Sequence, residues 1–256
     1  LSGQIRYDPQ GQLARITIDR VEKKNAFAGT MREELAFAID RAQNDPEVRV
    51  VVLAGAGKTF CAGGDLDSLA SLSQAEDLEG ARKLLESGGR VVRAIRKLEK
   101  PVIAAVEGFA AGAGCSLAAA CDVVIAAESA RFALSFVKIG LVPDWGGTFF
   151  LPRRIGAART FHMSSSGEPI EARTARDWGL VDELVGDAEI EKAVTERAER
   201  LASWSPTSLS FQKYLIGSGE IPELEDALAR EIEAQLACFE TDEFRQAMAR
   251  RRNKQS

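Results

Sequence analysis

Alternating apolar and polar positions in "LARITIDR" (13–20) predict a half-buried strand. The apolar spacing of "GTMREELAFAIDRAQNDP" (29–46) predicts an amphipathic helix closed by a turn. A β-branched run ending in glycines, "VRVVVLAGAG" (48–57), reads as a buried strand that feeds a loop. The polar "DSLASLSQAEDLEG" (67–80) reads as a mobile lid or a solvated loop, and a helix follows over 81–100. "PVIAAVEG" (101–108), "DVVIAA" (122–127) and "ARFAL" (130–134) read as strands. Between the first two, "GFAAGAGCSLAAACD" (108–122) is too rich in glycine and alanine for a surface helix and predicts one packed in the interior.

From Asp177 onward the pattern is mostly helical, after the short apolar "GLVDELV" (179–185). The segments 188–205 and 225–252 carry apolar stripes with charged opposite faces, which bury against the chain's own core or against another subunit. The final "RRRNKQS" reads as a frayed tail. No low-complexity linker and no internal repeat at a fixed period stand out, so the pattern is α/β with a helical C-terminal part. A division into a core over 1–190 and a helical region over 191–256 is expected.

The 256 residues, 45% hydrophobic and 28% charged, suit one substantial globular core with an appendage. A net charge of −5 leaves no basic footprint, so nucleic acid and anionic membrane are poor partners. No run approaches 18 apolar residues, and no basic-then-apolar segment heads the sequence; a cytoplasmic protein is the expectation. Cys61, Cys115, Cys121 and Cys238 form no CxxC pair and have no histidine nearby, which argues against a metal site and for free thiols.

Chemistry is concentrated in three places. "TFCAGGDL" (59–66) and "AAGAGCSL" (110–117) are turns of small residues that let a ligand approach the backbone, and the second opens a helix whose free N–H groups favour negative charge. Neither is a nucleotide loop: "GAGKTF" lacks the spacing of GxxxxGK[ST], and "GFAAGAG" does not fit GxGxxG. The third is "GLVPDWGGTFFLPR" (140–153), which sets Asp144 among glycines and apolar side chains. A carboxylate there is either a cap for the following helix or a proton-transfer group. His162 is the lone histidine and no GxSxG elbow is present, so carboxylates are the candidates for proton transfer.

Read in order and spacing, these pieces resemble the crotonase superfamily of enoyl-CoA hydratases and isomerases. The matching segments are "VEKKNAF" (21–27), "VVVLAGAGKTFCAGGDL" (50–66), residues 100–132, "KIGLVPDWGGTFFLPRRIG" (138–156) and "EARTARDWGLVDELV" (171–185), nearly the whole chain. The resemblance implies a spiral of repeated ββα units, a C-terminal helical trimerisation region, a homotrimer or dimer of trimers, and an acyl-coenzyme A ligand with no separate cofactor. It places the two oxyanion N–H donors at Ala62 and Ala113, and the adenine and pantetheine cradle around Lys24, Ala26 and the turn Ala62, Gly63, Gly64, Asp65 and Leu66. Gly112, Phe136 and Trp145 complete the expected substrate-binding set. Asp65 is expected to stabilise its turn, Phe132 to be core, and Phe132, Phe136, Val142 and Trp145 to supply an apolar surround.

The departures carry the functional reading. Where hydratases of this superfamily hold two glutamates, this chain has Ser116 and Phe136, so the carboxylate pair for adding water is missing. Asp144 stands where hydratases have glycine, as in the Δ3,Δ2-enoyl-CoA isomerase-type enzymes of phenylacetate breakdown; the aromatic acyl-CoA dehalogenases are a weaker analogy. The expected activity is isomerisation of a 3-enoyl-CoA, or a related cyclic or epoxide acyl-CoA, with Asp144 as single acid and base. A hydratase or other acyl-CoA lyase or hydrolase, and a non-catalytic acyl-CoA-binding subunit, are the alternatives.

Overall fold

The computed structural model describes residues 3–217 and 220–253. Strands β1 (Gln4–Gln10) and β2 (Leu13–Asp19) form an antiparallel hairpin, and helix α1 (Met31–Asn44) returns the chain to β3 (Val50–Gly55), parallel to β2. Helices α2 (Leu66–Gln74) and α3 (Leu78–Lys97) cross to β4 (Val102–Val106). A short β5 (Phe109–Ala111) leads into α4 (Ala113–Ala120), then β6 (Val123–Ala127) and β7 (Arg131–Ala133). After a 3-10 turn over Ser135–Ile139 come α5 (Gly147–Ile155), α6 (Ala157–Ser166), β8 (Ile170–Glu171), α7 (Ala172–Trp178) and β9 (Glu183–Val185). Helices α8 (Ile190–Ser203), α9 (Pro206–Gly217), α10 (Glu220–Phe239) and α11 (Asp242–Asn253) complete the chain.

The main sheet has the order β1-β2-β3-β4-β6-β9, parallel from β2 onward, and β5-β7-β8 form a smaller second sheet. Parallel strands covered on both faces need apolar residues at every position, and alternate residues face opposite layers. Val51 and Leu53 accordingly enter the large core with α1, α3 and α4, while Val50, Val52 and Ala54 meet Ile190, Val194 and Ala198 of α8. Helix α10 packs on α3 and α5, and its Leu224, Leu228, Leu236 and Phe239 join the large core. No helix among the described residues is long and apolar enough to cross a membrane.

Three local readings need correction. The helix expected over 108–122 is divided: Phe109–Ala111 pairs as β5, and the helix starts only at Ala113. Its residues are all buried, as their composition demanded, and a Cβ on Gly114 would stand 2.3 Å from the Cys61 carbonyl oxygen, so only glycine allows this close approach. The polar stretch 67–80 is not a loop. Asp65 caps α2 by accepting from the Ser68 N–H (2.8 Å), and Asp77 caps α3 in the same way through Gly80 (2.8 Å). The basic tail is helical to Asn253, and its last three residues lie outside the described ones.

Candidate active site

The two glycine turns meet edge to edge. Cys61 bridges Ala110 of β5, and the following chain bridges Phe27. Gly63 has φ +97°, and a Cβ there would lie 2.8 Å from the Ala111 oxygen and 3.3 Å from the Ala113 nitrogen. Glycine is therefore required for the turns to touch. Asp65 locks this arrangement: its second carboxylate oxygen takes Arg20 at 2.6 Å, and Arg20 also reaches the Ala26 carbonyl. Burial would raise the Asp65 carboxyl, but Arg20 and Ser68 outweigh it and hold it below the usual carboxylate range. Such a group stays ionised and structural, as its turn position implied.

The oxyanion assignment at Ala62 does not survive. The Ala62 N–H is spent on the Lys24 carbonyl at 2.9 Å. Two residues on, Phe27 donates to the Gly63 oxygen (2.8 Å) and accepts from the Asp65 N–H (3.0 Å), so the intervening Gly64 N–H points away and has no partner among the described residues. The Ala113 N–H is likewise unpaired, since it opens α4 ahead of the first intrahelical bonds. The free pair of donors is Gly64 and Ala113, and both line one cavity.

Asp144 faces the same cavity, and it is not a helix cap. Helix α5 has Gly146 at its N-cap, with no local side-chain bond. Its free N–H groups are taken instead by Glu231 of α10, which accepts from Gly146 N (2.8 Å), Thr148 N (2.9 Å) and the Thr148 hydroxyl (2.6 Å). One turn later Gln235 donates to the Val142 carbonyl at 2.8 Å and to Asp144 Oδ2 at 3.3 Å. Asp144 Oδ1 is closed off from solvent and has no partner. Burial pushes this carboxyl up to about 7, the nearby Glu231 pushes it the same way, and Arg32 and Gln235 offset part of the rise. Burial also raises Glu231, against its three hydrogen bonds.

The cavity, about 600 Å³ including its open mouth, lies between α2, α3, α4 and α10. Of the residues expected at the site, Gly64, Leu66, Ala113 and Asp144 line it, as do Ala62, Gly112, Phe136 and Trp145. Trp145, itself at φ +54°, lays its ring on Phe27 with centroids 4.8 Å apart. Lys24, Ala26, Gly63 and Asp65 stand outside the wall. Lys24 is exposed, with its ammonium 5.9 Å from the centre of the Phe109 ring, and Ala26 is buried. Phe132 is fully buried core, and Ser116 is buried against Gly147 rather than on the cavity. His162 is exposed on α6, edge-on to Trp178. Asp144 is the single carboxylate among the lining residues.

Arg32, Glu231 and Gln235 were missed by the sequence reading. The available signal was position: Arg32 follows Met31 on the buried stripe of α1, and Glu231 and Gln235 lie on the buried stripe of α10 with Leu224 and Leu228. Polar residues at core positions of a helix ask for partners.

Residues 8–255 match the family described as enoyl-CoA hydratase/isomerase. A probable enoyl-CoA hydratase of Rhodobacter capsulatus is 41% identical over 244 residues, covering 95% of this chain and 93% of its own. The 1,2-epoxyphenylacetyl-CoA isomerase of Escherichia coli is 36% identical over 236 residues, 91% of this chain and 89% of its own. The crystal structure of an enoyl-CoA hydratase from Bacillus halodurans superposes with a TM-score of 0.91 at 26% identity, over 96% of this chain and 99% of that one. The α/β crotonase fold expected from the motifs, with two sheets and C-terminal helices, is thereby borne out.

Proposed function

We propose that this chain, which belongs to the enoyl-CoA hydratase/isomerase family, is an enoyl-CoA isomerase in which Asp144 serves alone as base and acid. The observation that carries this is the single carboxylate among the lining residues of a cavity that two unpaired backbone donors also line. In this reading the thioester oxygen of a 3-enoyl-CoA, or of a related cyclic or epoxide acyl-CoA, accepts from Gly64 and Ala113. Asp144 removes a proton from C2, the electron pair spreads over the dienolate, and the two N–H groups hold the charge on oxygen. The new carboxylic acid returns its proton to C4, giving the conjugated 2-enoyl-CoA and restoring the carboxylate. A carboxyl near 7 suits both halves, because it is basic enough to take the proton and acidic enough to give it back.

The coenzyme A portion would leave through the cavity mouth towards the exposed Lys24, with Ala26 and the 62–66 turn beside it. Phe211, Tyr214, Leu215 and Ile216 expose an apolar surface on α9, which supports a homotrimer or dimer of trimers. A hydratase is the second reading, favoured by the names of several relatives, among them those of Rhodobacter capsulatus and Clostridium acetobutylicum. Purified protein is given 3-hexenoyl-CoA and, separately, 2-hexenoyl-CoA. An isomerase produces the conjugated thioester absorbance from the first and leaves the second unhydrated. Rapid hydration of 2-hexenoyl-CoA with no isomerisation establishes the hydratase instead, and no reaction with either supports a non-catalytic binding subunit.

A further inference from the structure

We propose that Arg32 forms a polar subsite within the acyl cavity that takes an uncharged oxygen acceptor, a keto, ether or hydroxyl oxygen carried by the acyl group. The inference rests on the acyl-CoA reading above and adds a substrate class to it. Arg32 stands in the first turn of α1, 4% exposed, and lines the cavity. Its guanidinium has five N–H donors in a planar fork. One reaches the Phe27 carbonyl at 3.4 Å, the long edge of a hydrogen bond; Nε is shut off from solvent without a partner, and no carboxylate of the described residues pairs with the group within 4 Å. The same nitrogen, Nη2, lies 3.8 Å from where a Cβ on Gly64 would stand, so the group borders the free Gly64 N–H.

A buried guanidinium whose Nε has no partner, and whose other contacts are the Phe27 carbonyl and the Phe27 ring 5.8 Å from its carbon, is poorly compensated, and native structures rarely keep one without a use. The remaining wall of the cavity around it is largely apolar, with Leu66, Leu69, Leu84 and Leu85 from α2 and α3. Asp144 Oδ1 and Gln235 Oε1, the other buried side-chain atoms of the wall without a hydrogen-bond partner, are acceptors. A ligand oxygen is the complement that Arg32 lacks.

Charge decides between a neutral oxygen and a carboxylate. Asp144 is the charge acting most strongly on Arg32, with Glu33, Cys61 and Asp65 contributing less, and Glu231 acts on Asp144. Two carboxyls already bear on this region, Asp144 on the guanidinium and Glu231 on Asp144. A substrate carboxylate adds a third negative charge to the same pocket and drives Asp144 towards its protonated form, which removes the base. A neutral oxygen accepts the N–H and leaves that balance intact.

Saturated thioesters test this without isomerisation, because they carry no double bond to move. Affinities of hexanoyl-CoA, 4-oxohexanoyl-CoA, 5-oxohexanoyl-CoA and adipyl-CoA are measured by calorimetry on the wild type, Arg32→Met and Arg32→Lys. One of the two oxo thioesters is expected to bind the wild type about tenfold more tightly than hexanoyl-CoA, the size of one hydrogen bond to a charged group. Arg32→Met should erase that preference while hexanoyl-CoA binding stays within about threefold, and Arg32→Lys should keep part of it. Equal affinities in the wild type overturn the proposal, as does a preference for adipyl-CoA. So does an equal loss for all four thioesters in Arg32→Met, which assigns Arg32 to the thioester or to the fold. Should that variant not fold, the wild-type series still decides. If no thioester binds, the acyl-CoA reading falls and this one with it; if they bind alike, only this one does.

Discussion

Gln235 Nε2 donates to Asp144 Oδ2 across 3.3 Å and to the Val142 carbonyl across 2.8 Å, tying the turn that carries the carboxyl to a helix 91 residues downstream. Glu231, one helical turn earlier, occupies the free N–H groups of α5. Those groups would otherwise draw in the nearest carboxylate, Asp144, and hold it ionised. The division of labour leaves Asp144 with one weak hydrogen bond, an unpaired oxygen and a raised pKa.

Activity should therefore rise with pH through about 7 as Asp144 ionises. Glu231 lies close by and disfavours that ionisation, while Gln235 favours it. Glu231→Gln is expected to move the acid limb of the kcat/KM profile to lower pH, and Gln235→Met to move it to higher pH. The pH dependence of 3-hexenoyl-CoA isomerisation in the three proteins checks both signs; shifts in the same direction contradict the assignment. Glu231→Gln also loses an acceptor for a buried N–H, which should cost roughly 1–3 kcal/mol in urea unfolding.

The same burial makes Asp144 a burden on stability. The unfolded chain releases this proton near 3.8 and the folded one near 7, so above about pH 4 the unfolded state binds fewer protons and stability falls as pH rises. The full cost, present above pH 7, is on the order of 4 kcal/mol. Asp144→Asn should thus raise Tm by several degrees at pH 8 and by far less near pH 4, measured by calorimetry at the two values. An unchanged or lowered Tm at pH 8 contradicts the burial account.

Adjacent glycines should respond in opposite ways. A side chain on Gly64 meets nothing nearer than 3.8 Å, so Gly64→Ala keeps its N–H and is expected to remain active within about threefold. Gly63→Ala collides with the Ala111 oxygen and parts the two donors. Loss of one oxyanion donor costs about 2.7–4 kcal/mol in other enzymes, so kcat should drop roughly a hundredfold or more. Circular dichroism and turnover on both variants check this, and a fully active Gly63→Ala removes the turn from the site.

The central strands were legible because burial on both faces writes continuous β-branched runs, as in Val50–Gly55 and Val102–Val106. β1 was not, since "QIRYDPQ" is a mostly exposed edge strand whose partner sets its conformation. Nor was α2, whose serine-rich sequence reads as loop until Asp65 is seen capping it. At the site, Asp144 and the glycine turns were visible by composition. Choosing Gly64 over Ala62 required the Lys24 carbonyl, which only the folded chain brings to Ala62. Arg32, Glu231 and Gln235 were hidden because a polar residue on an apolar stripe looks like noise until its cavity is known.

The central claim, that Asp144 alone moves the proton, is tested most directly by the rate at which Asp144→Asn converts 3-hexenoyl-CoA into 2-hexenoyl-CoA under saturating substrate. The amide preserves size and can still accept from Gln235, but it cannot take a proton from carbon. The account predicts a fall in kcat of about 10²–10⁴-fold with little change in substrate binding. Turnover within tenfold of the wild type contradicts it.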